Sequence, residues 1–414
     1  MPAHRAAIAR FGRKMTVTSS AASRQISVRP TLLILLLTVF CLYNGLYLAR
    51  WWLASPQPGF GDFFGLWSFG KFAALEGAGI YNPFALADYQ QKLDPMLDGG
   101  GFPYPYPPTF LLALVPLGMM ALPVAYVCWI SVTFALYGLA TLGRAWRSLS
   151  GLALLAAPTT LVNTIAGQNG FLSAALLIGG LRLLNSHPAT AGVLLGLLAY
   201  KPQFVLLMPV VLLASRNWRA ILAAVATTVI VAVVTSAMLD WSIWPQWVAR
   251  FPVYQALLQA NQGSLVHMMP TVMAGIHAIG APPAIGYGIQ LTLSCAVVVL
   301  VWDAWRRGIT DQAIALVAIG SIIVTPYAMI YDMPMVAAGI AIHWKARVDA
   351  DEPVAPLEIG LVIALAICVL TMTSHSLPFV AAILMVLLFL SVASVFSRAG
   401  QSMPKLSVAP PAAR

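Results

Sequence analysis

The sequence predicts an all-α polytopic membrane protein, a bundle of about twelve transmembrane helices. Three observations carry that class. Of its 414 residues, 60% are hydrophobic and only 9% charged, where a soluble domain carries about 25% charged residues. Apolar runs close to the roughly 20 residues that a helix needs to cross a bilayer recur along the chain. The basic residues gather on alternate connections between those runs.

The clearest runs are 31–53, 123–143, 219–239, 284–305, 357–374 and 378–397. Shorter ones are 150–164, 169–185, 189–200, 203–214, 311–327 and 333–344, and these need tilt, bilayer thinning or burial inside a bundle to serve as spans. With the N-terminus inside, only Arg50, Lys71, Lys92, Lys201 and Arg250 of the basic residues fall outside. The net charge of +10 is therefore a topology signal first and an attraction to anionic lipid second. It does not call for nucleic acid. Residues 1–29 read as a basic cytoplasmic tail outside the fold, 30–398 as the transmembrane domain and 399–414 as a second cytoplasmic tail. The first tail is rich in Ser and Arg and has no acid, as organelle transit peptides are. A disordered cytoplasmic tail accounts for it equally, and Met15 is a candidate start.

Cys41, Cys128, Cys295 and Cys368 all sit in apolar runs without a C-x-x-C pair. They read as small hydrophobes and say nothing of redox compartment.

Two outer loops are long enough to carry function, 54–122 and 240–283. In the first, "FGLWSFGKFAALE" (64–76) places Leu66, Phe69, Phe72 and Ala73 at helical spacing, which predicts a short helix lying on the bilayer surface. "NPFALADYQQKL" (82–93) predicts a second, capped by Asn82 with Pro83 in its first turn. "PPTFLLALVPLGMM" (107–120) predicts a third, half-inserted and too short to cross. The second loop has Trp241, Trp244 and Trp247, an aromatic belt that ends at Arg250.

Asp62 is the first acidic residue of the chain and follows the first run closely, among Phe60, Phe63 and Phe64. An ionised carboxylate in apolar surroundings is costly unless it is needed or paired. Burial raises its pKa and makes it a better proton acceptor. It reads as a general base, or as the cap of the 64–76 helix, and the two roles are compatible. "FPYPYPP" (102–108) is a stiff turn that initiates a helix or holds Tyr104 and Tyr106 against a sugar. "GQNG" (167–170) suits a tight turn, with Gln168 and Asn169 free to bond a hydroxyl or phosphate.

"AYKPQ" (199–203) sets Lys201 in a long uncharged stretch. If 189–214 were one helix, Lys201 would lie near the bilayer centre at a cost of roughly 2.5–3.5 kcal/mol. A hairpin puts it at the outer tip and keeps Arg216 and Arg219 inside, which favours the hairpin. Its expected partner is an anion such as a phosphate. "TPYAMIYDMP" (325–334) brings Tyr327, Tyr331 and Asp332 to the outer end of another run, as an interfacial cap or as contacts to a sugar or acceptor. Arg250 and His267 are lone candidates in the second loop. The "DAD" at 349–351 reads as a solvated linker, and no other metal-ligand cluster stands out, so neither metal nor cofactor is expected.

The order "AALEGAGIYNP", "YPYPPTFLLALVPLG", "GQNGFLSAALL" and "GLLAYKPQFVLLMPVVLL", after a basic tail, a span and an aspartate, resembles glycosyltransferase family 87. These are polyprenol-phosphate-mannose-dependent mannosyltransferases of the GT-C fold. The resemblance implies an integral membrane hexosyltransferase of the cell envelope, in a bacterial inner (plasma) membrane with both termini cytoplasmic. It implies an active site on the outer face, a polyprenyl-phosphate sugar donor, and a glycolipid or glycan acceptor. On the same ground Asp62 is the catalytic base of an inverting transfer. Lys201 matches the family's lysine-proline position and touches the donor phosphate, with Arg250 and His267 as further phosphate contacts. Where family members often carry a histidine-bearing stretch, this chain has "IYDMP" with Tyr331 and Asp332. The alternatives are a polyprenyl-glycolipid transporter or flippase, which wants polar residues spread over several helices, and a non-catalytic membrane assembly partner.

Overall fold

A computed structural model of the chain describes residues 30–54, 60–95, 97, 101–147, 149–260, 265–308, 310–372 and 377–401. The expected tail 1–29 and most of the second, 402–414, lie outside the described residues. The last helix, Pro378–Gln401, runs past the boundary expected at 399. Among the described residues every regular element is helical.

Among the described residues three helices are long and apolar enough to cross a membrane alone: Leu122–Ala145, Trp218–Met238 and Pro283–Arg307. The runs at 31–53 and 378–397 also fold as long helices, Pro30–Ala54 and Pro378–Gln401, while other apolar runs fold as shorter helices, among them Gly170–Leu183, Pro188–Tyr200, Pro202–Ala214 and Asp311–Val324. At about 1.5 Å per residue, a helix of 14 residues such as Gly170–Leu183 is about 21 Å long, less than the roughly 30 Å hydrocarbon core. Gly170–Leu183 stands at the centre. It packs against Leu122–Leu142, Pro188–Leu197, Asp311–Val324 and Pro334–Asp349, and is buried from Gly170 to Leu181 on nearly every side. A helix that is apolar all round is a core helix.

The segment around Lys201 is a hairpin. Asn217 Nδ2 donates to Leu184 O at 2.7 Å, so the chain returns to its starting level. It reverses at Lys201, which leaves helical geometry with φ −122° and ψ 81°. Pro188–Leu197 packs closely along Trp218–Met238. A Cβ on Gly192 would fall 2.3 Å from Ala220 O and one on Gly196 2.5 Å from Ala224 O. Small residues four apart allow that backbone approach.

One expectation is corrected. Phe63–Glu76 is no surface helix. Ten of its residues are buried, Phe63 to Gly70 with Phe72 and Ala73. It packs mainly on Leu111–Gly118 and also meets Pro83–Leu93 and Leu122–Leu142, so protein surrounds it on more than one side. Lys71 lies half-buried with Nζ 5.1 Å from the Trp67 ring centroid. The cap expected at Asn82 is present, its side chain accepting from Phe84 N and Ala85 N. In the second loop Trp244 and Trp247 pack edge to face at 5.7 Å, while Trp241 is exposed.

Candidate active site

Broken helices frame the polar cluster. Pro158–Ala166 stops at Gly167, whose φ of +66° is a left-handed end that glycine adopts at no steric cost. A Cβ there would also fall 2.4 Å from Phe63 Cβ. The Gly167–Gly170 turn is thereby pressed against the segment that carries Asp62. Asp311–Val324 breaks at Thr325, and the chain resumes with the Ile330–Asp332 turn, which packs on Pro158–Ala166. The hairpin tip at Lys201 closes the set.

Asp62 occupies the N-cap position of Phe63–Glu76, yet its side chain makes no capping bond. Its Oδ2 accepts instead from Gln168 Nε2 at 3.1 Å. No cation lies within ion-pair distance of it among the described residues. Burial pushes its carboxyl above the usual carboxylate range, and the Gln168 hydrogen bond offsets part of that rise. Phe60 and Phe63 flank it, both against the Tyr126 ring at 5.5 and 5.4 Å.

The bonds continue inward. Tyr106 OH donates to Gln168 Oε1 at 3.4 Å and accepts from Asn169 Nδ2 at 3.1 Å. Trp129 Nε1 donates to Gln168 O at 3.4 Å. Ser173 and Tyr200 share a hydroxyl pair at 2.8 Å, and Ser173 Oγ also donates to Asn169 O. Asn169 is fully buried and its Oδ1 has no partner among the described residues.

Lys201 and Asp332 meet. Nζ and Oδ1 are 2.5 Å apart, with both side chains at most 3% exposed. Asp332 Oδ2 accepts from Met329 N at 3.0 Å, and the Lys201 ammonium lies over the rings of Phe204 and Tyr331 at 5.4 and 5.5 Å. In this arrangement each of the two charges neutralises the other out of solvent. The Tyr331 segment lies against the GQNG turn: a Cβ on Gly170 would fall 1.8 Å from Tyr331 O. Asp62, Tyr106, Gln168, Asn169, Lys201, Tyr331 and Asp332 therefore form one cluster.

Tyr104 is fully buried beside the cluster, its ring 5.7 Å from that of Tyr106, and its hydroxyl donates to Pro107 O at 2.9 Å, so it braces the turn. Two expected residues stand apart. Arg250 lies on Ile243–Ala260 beside Tyr254, and His267 in the short Val266–Met268 turn. Among the described residues no hydrogen bond or ion pair joins either to the cluster. No group of three or more His, Cys, Asp or Glu side chains gathers among the described residues.

Sequence reasoning missed Tyr126, Trp129, Asn163 and Tyr200. Asn163 Oδ1 accepts from Gly170 N at 3.1 Å and so locks the GQNG turn. A polar amide inside the apolar run before that turn was the available signal.

Within this chain the model of glycosyltransferase family 87 matches residues 104–326. That stretch holds the Tyr106, GQNG and Lys201 parts of the cluster, with Asp62 before it and Tyr331 and Asp332 after it. No curated protein sequence and no solved structure matches the chain. The matched stretch is more than half of the chain and contains the three apolar helices of spanning length found among the described residues, so the chain belongs to glycosyltransferase family 87 and is a membrane glycosyltransferase.

Proposed function

We propose that the protein moves a hexose, mannose in the first instance, from a polyprenyl-phosphate donor to a hydroxyl of a glycolipid or glycan acceptor. The reaction takes place at the outer face of a bacterial inner membrane, in a bundle of about twelve spans that includes the short broken helices. One observation carries the reading: the Asp62 carboxylate neither caps its helix nor pairs with a cation, and is held by Gln168 in apolar surroundings. A structural aspartate would be used up by one of those two roles.

In the proposed step Asp62 removes the acceptor hydroxyl proton. The oxygen attacks the anomeric carbon, and the bond from that carbon to the phosphate oxygen breaks. The polyprenyl phosphate leaves with the bonding electrons, and one displacement inverts the centre. A positioned base contributes about 10²–10⁴-fold. The amides of Gln168 and Asn169 and the hydroxyls of Tyr106 and Tyr327 supply donors and acceptors for sugar or acceptor hydroxyls. Lys201, Arg250 and His267 are the basic side chains assigned to the donor phosphate, the last two from the second outer loop. The Lys201–Asp332 pair positions Tyr331 against the GQNG turn that carries Gln168.

The test is incubation of the purified protein in liposomes with labelled polyprenyl-phosphate hexoses and a membrane lipid extract. Label should move to the acceptor with the natural protein and not with Asp62→Asn. Equal transfer by both would remove Asp62 as the base. Movement of the intact donor between leaflets without sugar transfer would point to a flippase.

A further inference from the structure

The Asp62–Gln168 hydrogen bond joins segments 106 residues apart. A glutamine side chain is long and rich in rotamers, so a 3.1 Å contact through it lasts only if both backbones are held in register. Reacting groups keep their geometry when packing and a further shell of hydrogen bonds lock them, and helices hold such groups more precisely than loops do. Asp62 and Gln168 both sit in connections between helices. Two glycines bring those connections together. Gly61, at φ +54°, would carry a Cβ 2.9 Å from Ile165 O, and a Cβ on Gly167 would fall 3.2 Å from Tyr126 Cε2.

Leu122–Leu142, a helix of 21 residues, meets both segments at this junction. Tyr126 and Trp129 lie three apart on it, so they share a face, and both are buried. Tyr126 OH donates to Thr164 O at 2.6 Å, in the last turn of Pro158–Ala166. Its ring packs on Phe60 and Phe63, to either side of Asp62. Trp129 Nε1 donates to Gln168 O at 3.4 Å. One helix face therefore touches the segment of the carboxylate and the backbone of its amide donor.

We propose that Tyr126 and Trp129 are positioning residues for the sugar transfer: from one face of a long helix they hold Gln168 Nε2 on Asp62 Oδ2 and keep the carboxylate aimed at the acceptor hydroxyl. The proposal rests on the reading of Asp62 as the base. Both residues act through Phe60, Phe63 and Gln168, with no contact to substrate required of them.

The full chain is assayed in liposomes with polyprenyl-phosphate mannose and a membrane lipid extract. Trp129→Phe keeps an aromatic ring and deletes the N–H, and Tyr126→Phe deletes the hydroxyl. Each should lower kcat about 10- to 100-fold, the cost of misplacing a group by roughly 1 Å or less, with the donor KM unchanged. The acid limb of kcat/KM should move to higher pH, because a looser Gln168 bond offsets less of the rise that burial imposes on Asp62. With Gln168→Leu already in place, Trp129→Phe should move the limb no further, as a double-mutant cycle requires of two residues acting through one bond. A role in packing alone would scale the rates with the folded fraction and leave the limb in place, which overturns the proposal. Asp62→Asn runs alongside. Full transfer by that variant removes the base itself, whereas a dead Asp62→Asn with unmoved limbs in Trp129→Phe and Tyr126→Phe removes only the positioning. A second measurement needs no turnover. The melting temperature of Trp129→Phe against that of Trp129→Phe, Asp62→Asn, followed over pH, reads the titration of Asp62 in the folded chain. The deficit due to the charged carboxylate should begin to vanish at a higher pH than it does for the natural protein against Asp62→Asn. Equal onsets overturn the proposal whether or not transfer is detected.

Discussion

Lys201 Nζ and Asp332 Oδ1, 131 residues apart in sequence, meet at 2.5 Å out of reach of solvent. The pair ties the hairpin tip to the Ile330–Asp332 turn. Breaking a buried pair from one side strands the other charge at a cost of about 3–5 kcal/mol, whereas replacing both by apolar residues is often neutral or stabilising. Lys201→Ala and Asp332→Ala should therefore each lower the melting temperature in detergent sharply. The double variant Lys201→Met, Asp332→Leu should regain most of that loss and, without the Lys201 contact to the phosphate, raise the KM for the donor. A double variant that is stable and keeps the donor KM of the natural protein would take Lys201 off the phosphate.

Asp62 should show the opposite sign in stability. Burial raises its pKa in the folded chain above the ordinary value of 3.8. The folded state then holds the proton more tightly than the unfolded one, so stability rises as pH falls through the window just above that value and is lower above it. Asp62→Asn removes the charge and should melt no lower than the natural protein at neutral pH, and higher if the shift is large. Sugar transfer should fall by about 10²–10⁴-fold. A variant that loses activity together with stability would make Asp62 a structural residue.

What is legible in the sequence follows from cost. A carboxylate, two amides and a lysine inside apolar runs are expensive, so Asp62, Gln168, Asn169 and Lys201 stand out from their neighbours. Their partners do not. The Lys201–Asp332 contact joins distant segments, and nothing local in "AYKPQ" or "IYDMP" names the other. Tyr104 and Tyr106 alternate in one stiff turn, yet one hydroxyl turns back on the turn itself and the other reaches Gln168 and Asn169. The pattern of that turn is the same for both. The 64–76 stretch reads as interfacial, yet it is buried against Leu111–Gly118, Pro83–Leu93 and Leu122–Leu142, and composition does not tell a second protein surface from lipid. The short helices are visible as apolar runs, but their breaks serve the cluster at their ends, which only the packed structure reveals.

Gln168 should govern the acid limb of the reaction. Its amide bond to Asp62 stabilises the carboxylate and lowers a pKa that burial has raised. Gln168→Leu deletes the donor, so the pKa of Asp62 rises further and the base is protonated at a higher pH. The acid limb of kcat/KM should move to higher pH, with the alkaline limb unchanged. Tyr106→Phe removes the hydroxyl that donates to Gln168 Oε1 and should shift the limb less, in the same direction. Profiles that scale down without moving would mean that Gln168 contacts substrate and does not tune the base.

Gly170 tests whether the turn and the Tyr331 segment must touch. A Cβ at this position would stand 1.8 Å from Tyr331 O and 2.7 Å from Asn163 Oδ1. Neither neighbour yields easily. Tyr331 O is backbone beside a residue fixed by the Lys201 ion pair, and Asn163 Oδ1 already accepts from Gly170 N. Overpacking of this kind costs about 1–3 kcal/mol, and the strain falls on the groups around Asp62. Gly170→Ala should lower both the melting temperature and the transfer rate. Gly360 is the control: it lies within the Pro356–Thr371 helix, and a Cβ added there would meet nothing within 4 Å. Gly360→Ala relieves backbone entropy and should gain about 0.5–1 kcal/mol with transfer unchanged. A Gly170→Ala protein as stable and active as Gly360→Ala would mean that the Tyr331 segment moves freely against the turn, and the contact between that segment and the GQNG turn would then have no part in catalysis.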